Sequence, residues 1–80
     1  MRHEEIATLI EKLKASIEGY IPPGQDPEIH VLLQAVTTAF ASNDEKGALQ
    51  ATRQIEKHAL YRYAAVVELA GELGRKLEAR

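Results

Sequence analysis

Residues 44–80, DEKGALQATRQIEKHALYRYAAVVELAGELGRKLEAR, decide the fold, because they form nearly half of the chain and contain no proline. Small and apolar side chains recur every three or four residues along this segment and keep one phase on a helical wheel. The residues that share this phase are Thr52, Ile55, Ala59, Tyr63, Val66, Ala70, Leu73 and Leu77. The pattern predicts one long helix, from about residue 45 to about residue 78.

Two shorter helices precede this segment. Ile6, Leu9, Ile10, Leu13 and Ile17 have the spacing of one helix face, which predicts an amphipathic helix over residues 3–18. The stretch GYIPPGQDPE, residues 19–28, then combines a helix-ending glycine with a stiff link and a helix start at Asp-Pro-Glu. A second, largely apolar helix is predicted for residues 27–41, and we interpret residues 19–28 as the joint between the two helices.

The predicted third helix is too long for its neighbours. At 1.5 Å per residue it spans about 50 Å, whereas the first two helices span only about 22–25 Å. Either the third helix breaks near residues 58–62 and completes a four-helix bundle, or it stays whole and packs against a second copy. The second solution is favoured because residues 58–62, HALYR, contain no Gly, Pro, Asn or Asp.

The sequence therefore predicts an all-α, three-helix protomer that forms a dimeric bundle, with residues 1–80 as a single helical domain. The expected dimer interface lies on the second half of the long helix, where large apolar side chains are concentrated. It consists of Tyr63, Val66, Val67, Ala70, Leu73 and Leu77. Ala70 and Gly74, one turn apart, would allow two backbones to approach closely.

Composition narrows the class of protein further. The absence of cysteine excludes disulfides, thiolate metal sites and cysteine nucleophiles. A net charge of -2 with 45% hydrophobic residues is typical of an ordinary globular protein. No apolar run reaches the roughly 20 residues that span a bilayer, and the N-terminus lacks a signal-peptide pattern. We expect a cytoplasmic protein without a membrane partner.

The sequence gives only weak signals for catalytic or metal-binding residues. His3, His30 and His58 lack a glutamate at the i+3 or i+4 spacing of helical metal sites, so no metal or cofactor is predicted. His58 is followed by Ala59 and Leu60 rather than by the Lys and Gly typical of phosphotransfer domains. No catalytic residue is predicted, and we expect that the protein is not an enzyme.

The most basic, aromatic-bearing segment holds Arg53, Lys57 and Arg62. These three residues form a candidate face for a partner or for nucleic acid, although the overall charge makes nucleic acid an unlikely ligand. Two function hypotheses remain. The favoured one is a non-enzymatic protein–protein interaction or scaffold module that self-associates through its long C-terminal helix and binds an unknown protein. The alternative is a small dimeric regulatory protein that binds nucleic acid through this face.

Overall fold

A computed structural model describes residues 2–79 of the protein, with the backbone alone for Arg2. Within these residues the chain forms four α-helices and no strand. They are α1 (Arg2–Tyr20), α2 (Pro27–Ala41), α3 (Glu45–Ala59) and α4 (Ala64–Glu78). Helix α2 packs against α3, α3 against α4, and α4 returns to α1, which also contacts α2. The four helices thus enclose one core.

The predicted all-α class and the first two helices are confirmed, but the three-helix protomer with one long C-terminal helix is wrong. Residues 60–63 interrupt the segment, so that α3 and α4 form a hairpin. Leu60 has φ -57° and ψ 129°, and Tyr61 has φ 67°. The amide of Arg62 donates to the Ala59 carbonyl at 2.8 Å. These features match a type II β-turn, whose third position ordinarily holds glycine.

The physical reason for the break is burial of α4 against its own chain. Val66, Ala70, Leu73 and Leu77 are buried together with the apolar face of α1 in one core. In the unbroken helix this face would have needed a second copy to cover it. The hairpin covers it within the protomer, and the length argument for a dimeric bundle therefore no longer holds.

The other two connections use recognisable caps. Asp26 precedes α2 and accepts from the Ile29 amide, as the predicted helix start requires. Asn43 ends α2 with φ 59°, a conformation that asparagine tolerates better than most residues. Asp44 then caps α3 by accepting from the Gly47 amide at 2.9 Å. Local capping residues thus set both turns, in contrast to the turn at residues 60–63.

Gly71 and Gly74 lie at the crossing of α3 and α4. A Cβ atom on Gly74 would lie 2.9 Å from Arg53 Nη1, and one on Gly71 would lie 3.2 Å from Glu56 Oε2. Both glycines are buried, and they leave room for the Arg53–Glu56 ion pair. Gly74, which together with Ala70 was expected to let two copies approach closely, therefore lies where α3 and α4 of one chain approach each other.

Candidate functional site

A polar cluster at one end of the bundle joins the two connections that meet there. Asp26, which is 8% exposed, receives hydrogen bonds from two side chains that follow it by 32 and 37 residues. His58 Nε2 lies 2.9 Å from Asp26 Oδ2, and the Tyr63 hydroxyl donates to the same oxygen at 2.9 Å. We call Asp26, His58 and Tyr63 the Asp26 clamp, because it ties the start of α2 to the end of α3 and the start of α4.

Both ring nitrogens of His58 face carboxylates. An ionised carboxylate only accepts hydrogen bonds, so the Nε2 atom that faces Asp26 carries a proton. The Nδ1 atom lies 3.5 Å from the Glu28 carboxylate. The imidazole is thus directed at two acids rather than at a substrate, and its geometry suits a structural role better than that of a nucleophile or general base.

The hydrogen bonds of the clamp shift the pKa values of Asp26 and Tyr63. Burial raises the pKa of Asp26, but hydrogen bonds from His58, Tyr63 and the Ile29 amide together hold that pKa below its ordinary value. The same contact raises the pKa of Tyr63, because its hydroxyl donates to Asp26 and the neighbouring carboxylate opposes a phenolate. The charged Asp26 and the neutral Tyr63 are therefore the favoured forms in the fold.

The turn next to the clamp presents large apolar side chains to solvent. Tyr61 is 98% exposed and Leu60 is 47% exposed. Around them lies a shallow depression of about 450 Å³. We call its lining residues the Tyr61 surface: Leu60, Tyr61, Arg62, Ala64, Val67 and Glu68. It combines an apolar centre with one basic and one acidic side chain.

A second depression lies on the other side of the first turn of α4. It has a volume of about 190 Å³. We call it the Tyr20 groove, and it is lined by Ser16, Tyr20, Ile21, Tyr63, Ala64, Ala65 and Val66. Ile21 and Val66 are buried and form its floor, whereas Tyr20 is 80% exposed at its edge. Three of the four exposed large apolar side chains of residues 2–79 thus lie at this end: Tyr20, Leu60 and Tyr61.

The residues predicted from sequence lie in several environments. Four of the six predicted interface residues are buried in the protomer's own core, namely Val66, Ala70, Leu73 and Leu77. Tyr63 and Val67 are half-buried and line the two depressions. The structure therefore does not present these six side chains together as an open face.

The three residues of the predicted basic face, Arg53, Lys57 and Arg62, also have different surroundings. Arg53 pairs with Glu56 at 3.1 Å and with Glu78. Lys57 lines a depression between α2 and α3 together with Glu28 and His58, whereas Arg62 lies on the Tyr61 surface. Pairing of Arg53 with acids lowers the positive potential that phosphate groups would need. The structure therefore places these three basic side chains in three different environments.

Sequence reasoning missed the clamp and the Tyr61 surface. Asp26 was correctly assigned as a helix cap, but its contacts with His58 and Tyr63 depend on tertiary structure. The only sequence signal at the turn is the doublet of large apolar residues Leu60 and Tyr61 between Lys57 and Arg62.

The comparisons with known proteins assign no family. No protein family, curated protein or solved structure matches this chain at a significant level. Within residues 2–79, no helix is long and apolar enough to cross a membrane. In the same residues no group of three or more His, Asp or Glu side chains is arranged to hold a metal ion.

Proposed function

We propose that this chain is a non-enzymatic protein–protein interaction module that binds its partner through the Tyr61 surface. The observation that carries the proposal is the conformation of Tyr61 together with its exposure. Tyr61 has φ 67° and is 98% exposed. A left-handed conformation costs a residue with a Cβ atom about 1–2 kcal/mol relative to its normal region. The side chain offsets none of that cost by packing within the chain.

The chemistry of the Tyr61 surface indicates what kind of partner it fits. Tyrosine is enriched among the residues that dominate binding energy at protein interfaces, because it buries a large area with few rotatable bonds. Arg62 flanks Tyr61 and offers a charged donor. A suitable partner is therefore a protein surface with an apolar pocket for Tyr61 and an acidic side chain for Arg62.

The Asp26 clamp supports this function by fixing the turn. It holds His58 and Tyr63, which precede and follow Leu60 and Tyr61 by two to three residues. A turn held on both sides loses less conformational entropy when a partner binds. The clamp is thus a positioning element for the Tyr61 surface.

Photo-cross-linking tests the proposal. A photoreactive phenylalanine analogue replaces Tyr61 in one protein and, as a matched control, Val31 on α2, which is 64% exposed. Both are irradiated in extract of the source cells. We expect a protein adduct from position 61 that exceeds any adduct from position 31 and that weakens several-fold when the probe chain also carries Ala64→Arg, which obstructs the Tyr61 surface. The proposal fails if position 61 gives no adduct beyond that of position 31, or if Ala64→Arg leaves the adduct unchanged.

A further inference from the structure

The structure points to a second copy of this chain as the partner: we propose that Tyr61 of each copy inserts into the Tyr20 groove of the other. This inference rests on the proposed function and names its partner. The two surfaces lie on either side of the first turn of α4, and Ala64 lines both of them. One protomer therefore carries both the projecting side chain and a receiving groove.

The Tyr20 groove fits a single large side chain. Its volume of about 190 Å³ is smaller than the roughly 300–1,000 Å³ of small-molecule sites. Its floor is formed by Ile21 and Val66, and Tyr20 and Tyr63 provide aromatic neighbours. Aromatic pairs add about 0.5–1.5 kcal/mol beyond the burial of their area. A tyrosine ring is thus a suitable occupant.

The position of the groove permits a reciprocal contact. In a two-fold dimer the same patch serves both copies, so a residue and its receptor must lie close together on one protomer. Ala64 lines both surfaces and Ala65 lines the Tyr20 groove, and both are exposed residues with short side chains. Two copies can therefore approach closely with the first turns of α4 side by side.

The charges on the Tyr61 surface permit contact with a second copy. Arg62 and Glu68, one of each sign, line this surface. Each copy therefore brings an acidic as well as a basic side chain to the contact, whereas a patch of one charge sign would repel its copy.

The size of the patch indicates a reversible dimer. A standard stable interface covers about 800 Å² on each partner. That area is roughly a sixth of the 5110 Å² surface of this chain. An interface limited to the two depressions at one end of the bundle lies at the small end of the range, so we expect association in the micromolar range.

Sedimentation velocity of the full chain across the micromolar range tests the inference. We expect a concentration-dependent shift from one to two chains for the wild type. Tyr61→Gly removes the inserted side chain, and Ala65→Arg, at an exposed helical position, obstructs the groove, so both should weaken dimerisation at least tenfold. Val31→Ala is the control and should dimerise like the wild type. A wild type that remains one chain throughout overturns the inference.

Charge exchange tests the contribution of these two side chains. Arg62→Glu and Glu68→Arg should each dimerise several-fold more weakly than the wild type, because each leaves a patch of one charge sign. An equimolar mixture of the two variants brings an acidic patch against a basic one and should dimerise as well as the wild type. A mixture no stronger than either variant alone overturns the charge complementarity.

The outcomes separate this inference from the proposed function. A monomeric wild type whose position 61 still cross-links to a different protein overturns the second copy as partner and leaves the interaction module standing. A monomeric wild type whose position 61 gives no adduct beyond that of position 31 overturns both.

Discussion

His58 Nε2 lies 2.9 Å from Asp26 Oδ2, although 32 residues separate them along the chain. The Tyr63 hydroxyl reaches the same oxygen from the other side of the turn. A continuous helix would place residues 58 and 63 about 140° apart around its axis, with no common acceptor. The Asp26 clamp therefore favours the hairpin of α3 and α4 over the long helix that the periodicity predicts.

Replacing Asp26 should destabilise the fold. Asp26→Ala leaves His58 and Tyr63 without their acceptor and removes the cap of α2, and we expect a loss of about 2–3 kcal/mol in the free energy of unfolding. Urea unfolding followed by circular dichroism measures it. Asp44→Ala is the matched control, because Asp44 caps α3 through a local contact alone, and it should cost about 1 kcal/mol. Equal losses for the two variants would contradict the clamp.

How much of the fold follows from sequence is shown by the contrast between two turns. The α2–α3 turn contains Asn43 and Asp44, whose side chains suit a left-handed residue and a helix cap, and it lies between the predicted helix ends at residues 41 and 45. The turn at residues 60–63 has no such residue. Its left-handed position is held by Tyr61, and its stabilising contacts come from Asp26, which is distant in sequence.

The candidate site could likewise be predicted from the sequence only in part. The helical pattern identifies Val66, Ala70, Leu73 and Leu77 as one apolar face, and the structure buries that face. Periodicity gives the direction of the side chains but does not tell whether α1 of the same chain or a second chain covers them. The exposed residues of the turn follow only once the break in the helix is known.

Tyr63→Phe should weaken the Asp26 clamp while keeping the aromatic ring in place. The variant retains the ring and loses only the hydroxyl that donates to Asp26, so the urea midpoint should fall by less than it does in Asp26→Ala. Adding Tyr63→Phe to Asp26→Ala should then have almost no further effect, because the acceptor is already gone. Additive losses in the double variant would show that the two side chains do not interact in solution.

The clamp also predicts how stability depends on pH in acid. The pKa of Asp26 in the fold lies below its ordinary value, so its charge adds stability that is present above the unfolded pKa and is lost as the pH falls through the folded pKa. The difference in unfolding free energy between the wild type and Asp26→Asn should therefore be largest near pH 6 and shrink from about pH 4 downward. Urea titrations at several pH values measure it, and a constant difference would contradict this origin.

Tyr61→Gly should stabilise the monomer. Glycine is the preferred residue at the third position of a type II turn, and Tyr61 occupies that position with φ 67° and no packing of its side chain. After the greater entropy of glycine in the unfolded chain is allowed for, we expect a gain of about 0.5–1 kcal/mol, or a few degrees in Tm. Leu60→Gly is the control: with φ -57° it relieves no strain and should destabilise. Differential scanning calorimetry at low micromolar concentration, where the monomer dominates, compares the variants, and a lower Tm for Tyr61→Gly would contradict the proposed strain.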